Sequence, residues 1–200
     1  MELVRSFIAI ELPPELRAEL GALEERLKAS RYSFVKWVDP ETVHLTLKFL
    51  GNVPVDAIPQ IVEATTRAAQ PSPPFSLHMG GTGAFPNWQR PQVLWVGIGG
   101  EIGRLTALHR ELESALCPLG FPPESRDFSP HLTLGRLRDR ASPEERGRLG
   151  QWAQSVRFEA RLTFEVDGVR LMKSQLTPGG PVYSQLASVD LKGPNKGALP

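Results

Sequence analysis

The amino-acid sequence predicts an α+β protein with antiparallel sheets, built from two similar halves. Strand-like segments alternate with two helices in each half, and no glycine-rich phosphate fingerprint of a parallel doubly wound sheet is present. The tetrapeptide His-Leu-Thr-Leu occurs twice, at 44–47 and 131–134. His131 follows His44 by 87 residues, and each histidine lies 39 residues after the residue that precedes a strand-like segment, Arg5 for the first and Gln92 for the second. We therefore expect one domain over residues 1–192, with repeat units at about 5–91 and 92–191 related by approximate two-fold symmetry.

The first half begins with a short apolar run, typical of a buried strand. Pro13 and Pro14 then open a helix that continues to about Ala29 and carries leucines at helical spacing. The remaining segments alternate between strand and helix patterns and end at Gly or Pro. In order, we predict a strand at 6–10, a helix at 14–29, strands at 34–38 and 43–50, a helix at 58–69 and a strand at 75–85.

The second half repeats the order of strand, helix, histidine strand, helix and strand, and adds two further strands. Ser142 with Glu145 three residues later predicts a capping box, and Asp167-Gly168 between two strand-like segments predicts a tight hairpin. We predict a strand at 93–98, helices at 102–116 and 143–152, the second histidine strand at 130–137, and strands at 156–166, 169–174 and 183–191. Residues 177–180 predict a further turn, and residues 193–200 a disordered tail.

Composition excludes several classes of protein. The 200 residues are 40% hydrophobic and carry a net charge of +1, so no strong overall field favours DNA or a membrane surface. A single cysteine excludes an internal disulfide. No apolar run reaches the roughly 18 residues that span a membrane, and no signal-peptide cleavage region follows the N-terminus. The sequence predicts a cytoplasmic protein.

The repeated tetrapeptide is the candidate catalytic motif. In a strand, its His and Thr share one face and its two Leu share the other. One His-x-Thr alone is usually structural, but two copies in a chain with four histidines favour a site. Two imidazoles suit a general acid and a general base. The motifs lack a triad partner and metal-ligand spacing, which predicts chemistry without metal or cofactor. A strained 2′,3′-cyclic phosphodiester fits such a pair, with the threonine hydroxyls on phosphate.

Five blocks carry a resemblance to a known family. They are Phe7-Ile8-Ala9-Ile10, residues 44–51 (HLTLKFLG), residues 85–91 (FPNWQRP), residues 129–136 (SPHLTLGR) and residues 174–180 (SQLTPGG). In this order they resemble the two-histidine phosphoesterase superfamily, specifically the LigT-like RNA 2′,3′-cyclic phosphodiesterases, historically called 2′-5′ RNA ligases. The resemblance covers residues 5 to about 191. It implies a bilobed LigT-like fold, with helices on the outer faces of two antiparallel sheets and an active-site groove between the lobes.

The resemblance also implies an activity and site roles. The family hydrolyses RNA 2′,3′-cyclic phosphate ends to 2′-phosphomonoesters. By position, His44 is then the proton donor and His131 the proton acceptor, with Thr46 and Thr133 on phosphate. Arg136 matches a family position associated with activity. The implied partners are RNAs with a cyclic phosphate end, including tRNA fragments, or small cyclic nucleotides, and we expect a monomer.

Some assignments stay open. Phe85, Trp88 and Arg90 lie in a Pro-bounded loop where they can stack a base and bind backbone phosphate, but Trp88 can equally pack the loop against the core. Lys48 continues the alternation of the first motif and is expected at the rim of the groove, whereas His109 is expected in solvent. Ligation, the reverse reaction, and a non-catalytic nucleotide- or RNA-binding module are the alternative functions. The sequence names neither the physiological RNA nor its base specificity.

Overall fold

The computed structural model describes residues 2–158, 162–178 and 180–193. Within these residues the chain forms four α-helices and nine β-strands, which confirms the predicted α+β class. The helices are α1 Pro14–Lys28, α2 Ile58–Ala69, α3 Ile102–Leu116 and α4 Pro143–Ser155. The strands are β1 Leu3–Glu11, β2 Val35–Trp37, β3 His44–Pro54, β4 Phe75–Phe85, β5 Val93–Gly100, β6 His131–Leu137, β7 Thr163–Val166, β8 Gly168–Thr177 and β9 Gly180–Asp190.

Two antiparallel sheets organise the molecule. The four-stranded sheet has the order β3-β1-β8-β9, and the five-stranded sheet has the order β2-β6-β5-β4-β7. His44 begins β3 and His131 begins β6, so the two histidine strands belong to different sheets, and these strands approach one another. The sheets do not coincide with the two repeat units, because β2 and β4 of the first unit lie in the sheet of β5 and β6. The division into repeat units stays a prediction.

The helices cover the apolar face of each sheet. Helices α2 and α3 pack against each other, with α2 on β8 and β9 and α3 on β3, whereas α4 packs on β4. Trp152 of α4 donates its indole N–H to the carbonyl of Leu27 at the end of α1, 3.2 Å away. The leucines predicted as helix stripes are all buried, namely Leu16, Leu20, Leu23 and Leu27 in α1 and Leu105, Leu108, Leu112 and Leu116 in α3. These contacts leave the opposite faces of the sheets for the histidines.

The prediction of a hairpin at Asp167-Gly168 is wrong. Strand β7 pairs with β4, whereas β8 pairs with β1 and β9, so the dipeptide carries the chain from one sheet to the other. A two-residue hairpin of the type predicted needs positive φ angles, and Gly168 is not among the glycines with positive φ in the described part of the chain. The glycine instead permits close packing, since a Cβ at this position would lie 2.7 Å from the Val189 carbonyl oxygen.

Other predicted boundaries change less. Helix α4 continues to Ser155, and among the described residues of the strand predicted at 156–166 only Thr163–Val166 forms a strand, with residues 159–161 outside the described residues. Strand β3 passes the predicted stop at Gly51, whose φ of +71° accommodates an irregularity in the pairing with β1. The capping box at Ser142 and the β8–β9 turn are confirmed.

The predicted tail begins with a residue that the structure describes. The Gly193 amide donates to the Ser72 carbonyl at 3.0 Å, while residues 194–200 lie outside the described residues. None of the helices in the described ranges is long and apolar enough to cross a membrane.

Candidate active site

A β-bulge occurs at the same place in both histidine motifs. In β3, Thr46 pairs with Ala9 and Lys48 with Ile8, so Leu47 is the extra residue. In β6, Thr133 pairs with Trp95 and Gly135 with Leu94, so Leu134 is the extra residue. A bulge reverses the alternation of side chains beyond it. His44 and Thr46 therefore face the groove as predicted, and so does Phe49, which is 59% exposed. The equivalent positions in β6 are His131, Thr133 and Arg136.

Each imidazole is held by the same type of hydrogen bond, between its Nδ1 and the backbone carbonyl oxygen two residues earlier. Nδ1 of His44 lies 2.9 Å from the carbonyl oxygen of Thr42, and Nδ1 of His131 lies 2.7 Å from that of Ser129. A carbonyl oxygen only accepts, so Nδ1 is the donor and carries the proton of the neutral ring. This tautomer leaves Nε2 of each histidine free to give or take a proton at the substrate.

Aromatic rings enclose His44. The ring of Phe7 stacks on the imidazole with centroids 4.5 Å apart, and Tyr183 meets the imidazole edge-on at 5.0 Å. Phe7 and Tyr183 also contact each other at 5.2 Å. Phe7 comes from β1 and Tyr183 from β9, so strands from both ends of the chain build this wall. The rings restrict the motion of His44 and remove water from around it.

A second aromatic pair surrounds His131. Phe85 meets the imidazole edge-on at 4.9 Å, and Trp95 lies 6.3 Å away, with the two aromatic rings 5.1 Å apart. Trp95 lies across Gly83 of the neighbouring strand, where a Cβ would come within 2.1 Å of the indole. The absence of a side chain at Gly83 is therefore what lets Trp95 lie flat beside the histidine.

Burial lowers the pKa of both histidines below the ordinary value. Loss of water is the largest cause for each, and the carbonyl contact of Thr42 or Ser129 opposes it in part. The positive charge of Arg17 further lowers the pKa of His44, and that of Arg136 does so for His131. Both imidazoles are thus biased toward the neutral form at pH 7 in the free protein.

Arg136 links the two halves of the groove. It lies on β6 with His131, yet its charge also opposes the burial that raises the pKa of Tyr183. Tyr183 in turn contacts His44. The positive charge of the guanidinium therefore acts on His131 itself and on the tyrosine that contacts His44.

Lys48 does not lie at the rim of the groove, as the sequence alternation predicts. Because of the bulge at Leu47, its side chain points into the protein and is only 3% exposed. Its ammonium donates to the Pro122 carbonyl at 2.6 Å and lies 2.8 Å from Oε1 of Glu113, which makes an ionic contact without a well-aligned hydrogen bond. Oε2 of Glu113 accepts from the Glu124 amide at 3.0 Å. This network ties β3 to α3 and to the loop that leads to His131.

His109 is also placed differently from the prediction. Its side chain is 14% exposed, lies 3.6 Å from Oε1 of Glu113 and stacks on Phe128 with ring centroids 4.0 Å apart. The histidine packs this loop and is not solvated, because the loop folds back over α3.

The loop candidates are less integrated into the site. Trp88 is partly buried against the hydrophobic core, and Arg90 is exposed, with its amide bound to the Asn87 side chain. No aromatic contact or side-chain hydrogen bond joins either residue to a histidine within the described ranges. The packing role considered for Trp88 is thus the one that the structure supports, and substrate contacts of Trp88 and Arg90 stay predictions.

Sequence reasoning missed the aromatic walls of the site. Phe7 and Phe85 lie in the blocks that carry the family resemblance, but only Phe85 is a candidate for binding, and no sequence motif singles out Tyr183 or Trp95. Their contacts depend on which strands become neighbours, and no local pattern predicts this.

No group of three or more potential metal ligands occurs among the described residues.

Comparisons with known proteins match this arrangement. A family model for the 2′-5′ RNA ligase superfamily matches residues 12–178. RNA 2′,3′-cyclic phosphodiesterases of Methanothermobacter thermautotrophicus and Archaeoglobus fulgidus are 33% and 36% identical over 183 residues. These alignments cover 92% of this chain and 96% and 98% of the two relatives.

Solved structures agree in fold. A protein of Thermus thermophilus has a TM-score of 0.77 at 32% identity, covering 94% of this chain and 98% of its own. Escherichia coli LigT, crystallised with 3′-AMP, has a TM-score of 0.71 at 26% identity, covering 95% and 99%. Family model, relatives and fold all extend across both histidine motifs, and the chain therefore belongs to the 2′-5′ RNA ligase superfamily.

Proposed function

We propose that this protein hydrolyses RNA 2′,3′-cyclic phosphate ends to 2′-phosphomonoesters. The observation that carries the proposal is the pair of imidazoles with the same tautomer, each with Nδ1 bound to a backbone carbonyl and Nε2 free. Relatives at 33–36% identity over most of the chain are RNA 2′,3′-cyclic phosphodiesterases. The activity and the assignment of roles below follow the family resemblance.

In the proposed reaction, water attacks the phosphorus of the cyclic diester. Nε2 of neutral His131 takes a proton from that water as the new P–O bond forms. The bond from phosphorus to the ribose 3′ oxygen breaks on the opposite side, and Nε2 of protonated His44 gives its proton to this oxygen. Proton exchange with water then returns both imidazoles to their starting forms.

The remaining groups hold the phosphate in line. The hydroxyls of Thr46 and Thr133 lie on the same faces as the histidines and donate to non-bridging oxygens. Arg136 faces the groove after the bulge and pairs with the negative charge. The aromatic walls exclude water from each imidazole, so the water that reacts is the one in line with the leaving oxygen.

Ligation is a second candidate, because the family carries the name 2′-5′ RNA ligase superfamily. In ligation the 5′ hydroxyl of a second strand attacks the cyclic phosphorus in place of water, with the same two proton transfers, and the phosphate stays on the 2′ oxygen as a 2′-5′ diester while the 3′ oxygen leaves. Water is far more concentrated than any ribose hydroxyl, so mass action favours hydrolysis over ligation. Action on tRNA fragments or small cyclic nucleotides, the monomeric state and the cytoplasmic location stay predictions.

The test is an RNA oligomer that ends in a 2′,3′-cyclic phosphate, incubated with the protein in EDTA. We expect a monophosphate product that resists a 3′-specific phosphatase and yields to a general one. His44→Asn and His131→Asn should each abolish its formation, whereas the matched variant His78→Asn, on β4 outside the motifs, should not. A predominantly 3′-phosphate product would reverse the roles of His44 and His131, and no turnover would favour the non-catalytic binding module.

A further inference from the structure

Two cations lie side by side at the edge of the groove. Lys36 is the middle residue of β2, the edge strand of the five-stranded sheet, and it pairs with Arg136 of β6. Residues directly opposite each other in an antiparallel pair project to the same face. Both side chains are exposed, and Arg136 faces the groove. Lys36 therefore lies next to Arg136 on the same side of the sheet as His131.

This pairing is unfavourable for the protein alone. Like charges directly opposite each other on neighbouring strands repel and destabilise the sheet. Neither Lys36 nor Arg136 forms an ion pair within the described ranges. An anion bound between them would relieve the repulsion, so the pair is suited to a ligand that carries negative charge.

A third cation continues the line. The Arg138 amide donates to the Phe34 carbonyl at 2.8 Å, which extends the β2–β6 ladder by two residues beyond Lys36 and Arg136. Arg138 is exposed as well. From His131 the chain thus passes Thr133, Arg136 and Arg138 in order, and positive charge extends outward from the histidine along β6, beside the edge strand β2. A single phosphate group neutralises only one of these cations, whereas a nucleic-acid strand carries one phosphate per nucleotide and can place a phosphate at each cation.

We propose that Lys36 and Arg138, which flank Arg136, bind the backbone phosphates of the RNA on the 5′ side of the cyclic end, while Arg136 holds the cyclic phosphate itself. The inference rests on the proposed function and deepens it, because it makes an RNA strand, and not a cyclic mononucleotide, the preferred substrate. Lys36 contributes affinity for the strand and takes no part in the proton transfers. A lysine at a sheet edge has one ordinary alternative role, which is to prevent pairing with other strands.

The experiment compares an RNA oligomer ending in a 2′,3′-cyclic phosphate with 2′,3′-cyclic AMP, using wild type, Lys36→Met, Lys36→Arg and Lys192→Met. Lys192 is an exposed lysine whose amide binds the end of α2, on the helical side of the four-stranded sheet, so it serves as the matched loss of charge. We expect Lys36→Met to lower the oligomer-to-mononucleotide ratio of kcat/KM by about three- to tenfold at low salt. Lys36→Arg and Lys192→Met should keep the wild-type ratio.

Binding gives a readout that does not depend on turnover. Affinity for a fluorescent RNA oligomer with a 2′-phosphate end is measured against salt concentration, with His131→Asn as the common background. Lys36→Met should reduce the slope of log affinity against log salt by about 0.7, the value for one phosphate contact on a single strand. An unchanged ratio and slope would overturn the proposal and leave Lys36 as edge protection. Failure of the proposed function is distinct, since it would remove wild-type turnover while the slope still reports on the phosphate contact.

Discussion

A buried ion pair joins Lys48 of β3 to Glu113 of α3. We predict that Lys48→Met destabilises the protein by about 3–5 kcal/mol, the usual cost of removing one partner of a buried pair. The two side chains are 3% and 9% exposed, so water cannot replace the missing charge at Glu113. The same substitution leaves the Pro122 carbonyl without its hydrogen bond. For a chain of this size the melting temperature should fall by about 6–20 °C.

Urea unfolding, followed by circular dichroism and tryptophan fluorescence, measures this loss. Lys192→Met is the matched control and should change the free energy of unfolding by no more than about 0.5 kcal/mol, as surface substitutions do. The double variant Lys48→Met, Glu113→Leu should recover most of the loss, because an apolar pair removes the unpaired charge along with its partner. A loss below about 1 kcal/mol for Lys48→Met would mean that water reaches the pair, and the assignment of Lys48 to the interior would be wrong.

Four further outcomes are expected. His44→Ala and His131→Ala should each lower kcat by about 10²- to 10⁴-fold with unchanged circular dichroism, and a rate near that of wild type would remove the residue from the mechanism. The profile of kcat/KM against pH should be bell-shaped with its maximum below pH 6.5, since burial lowers the pKa of both histidines, and a maximum above pH 7.5 would contradict this. Phe7→Ala should admit water to His44 and raise its pKa, which moves the alkaline limb upward if His44 is the acid; movement of the acidic limb would make it the base. EDTA should leave kcat unchanged, and a loss restored by zinc or manganese would refute chemistry without a metal.

The histidine motifs were predictable because their information is local. Alternation of His and Thr with Leu fixes which side chains face the groove over four residues, and the structure agrees at all of them. The prediction failed one residue later, at Lys48, because the bulge at Leu47 reverses the alternation. Nothing in the residues themselves indicates a bulge there, and only its recurrence at Leu134 reveals it as a shared feature of the two motifs.

The second feature that the sequence does not predict is the pairing of strands that are far apart in the chain. Asp167-Gly168 has the composition of a hairpin turn, but the strands on either side find their partners in different sheets. The packing of Tyr183 on His44 likewise joins residues far apart in the chain, and it exists because β8 pairs with β1. Local propensity predicts elements well where each element buries its own face, as the leucine stripes of α1 and α3 do, and it does not predict which strands pair.

The position of β1 between β3 and β8 has a consequence for the nascent chain. Strand β3 ends at Pro54 and β8 begins at Gly168, so β1 and β3 leave the ribosome long before β8 and β9 are synthesised. At ordinary translation rates, roughly 5–25 s pass between the synthesis of β3 and that of β8, the strand that pairs with the other side of β1. During that time the backbone of β1 on this side is unpaired, and Tyr183, which completes the wall around His44, has not yet been made. The complete wall around His44 thus forms only after β9 has been made, and a fragment that stops before β9 has both histidines without the complete site.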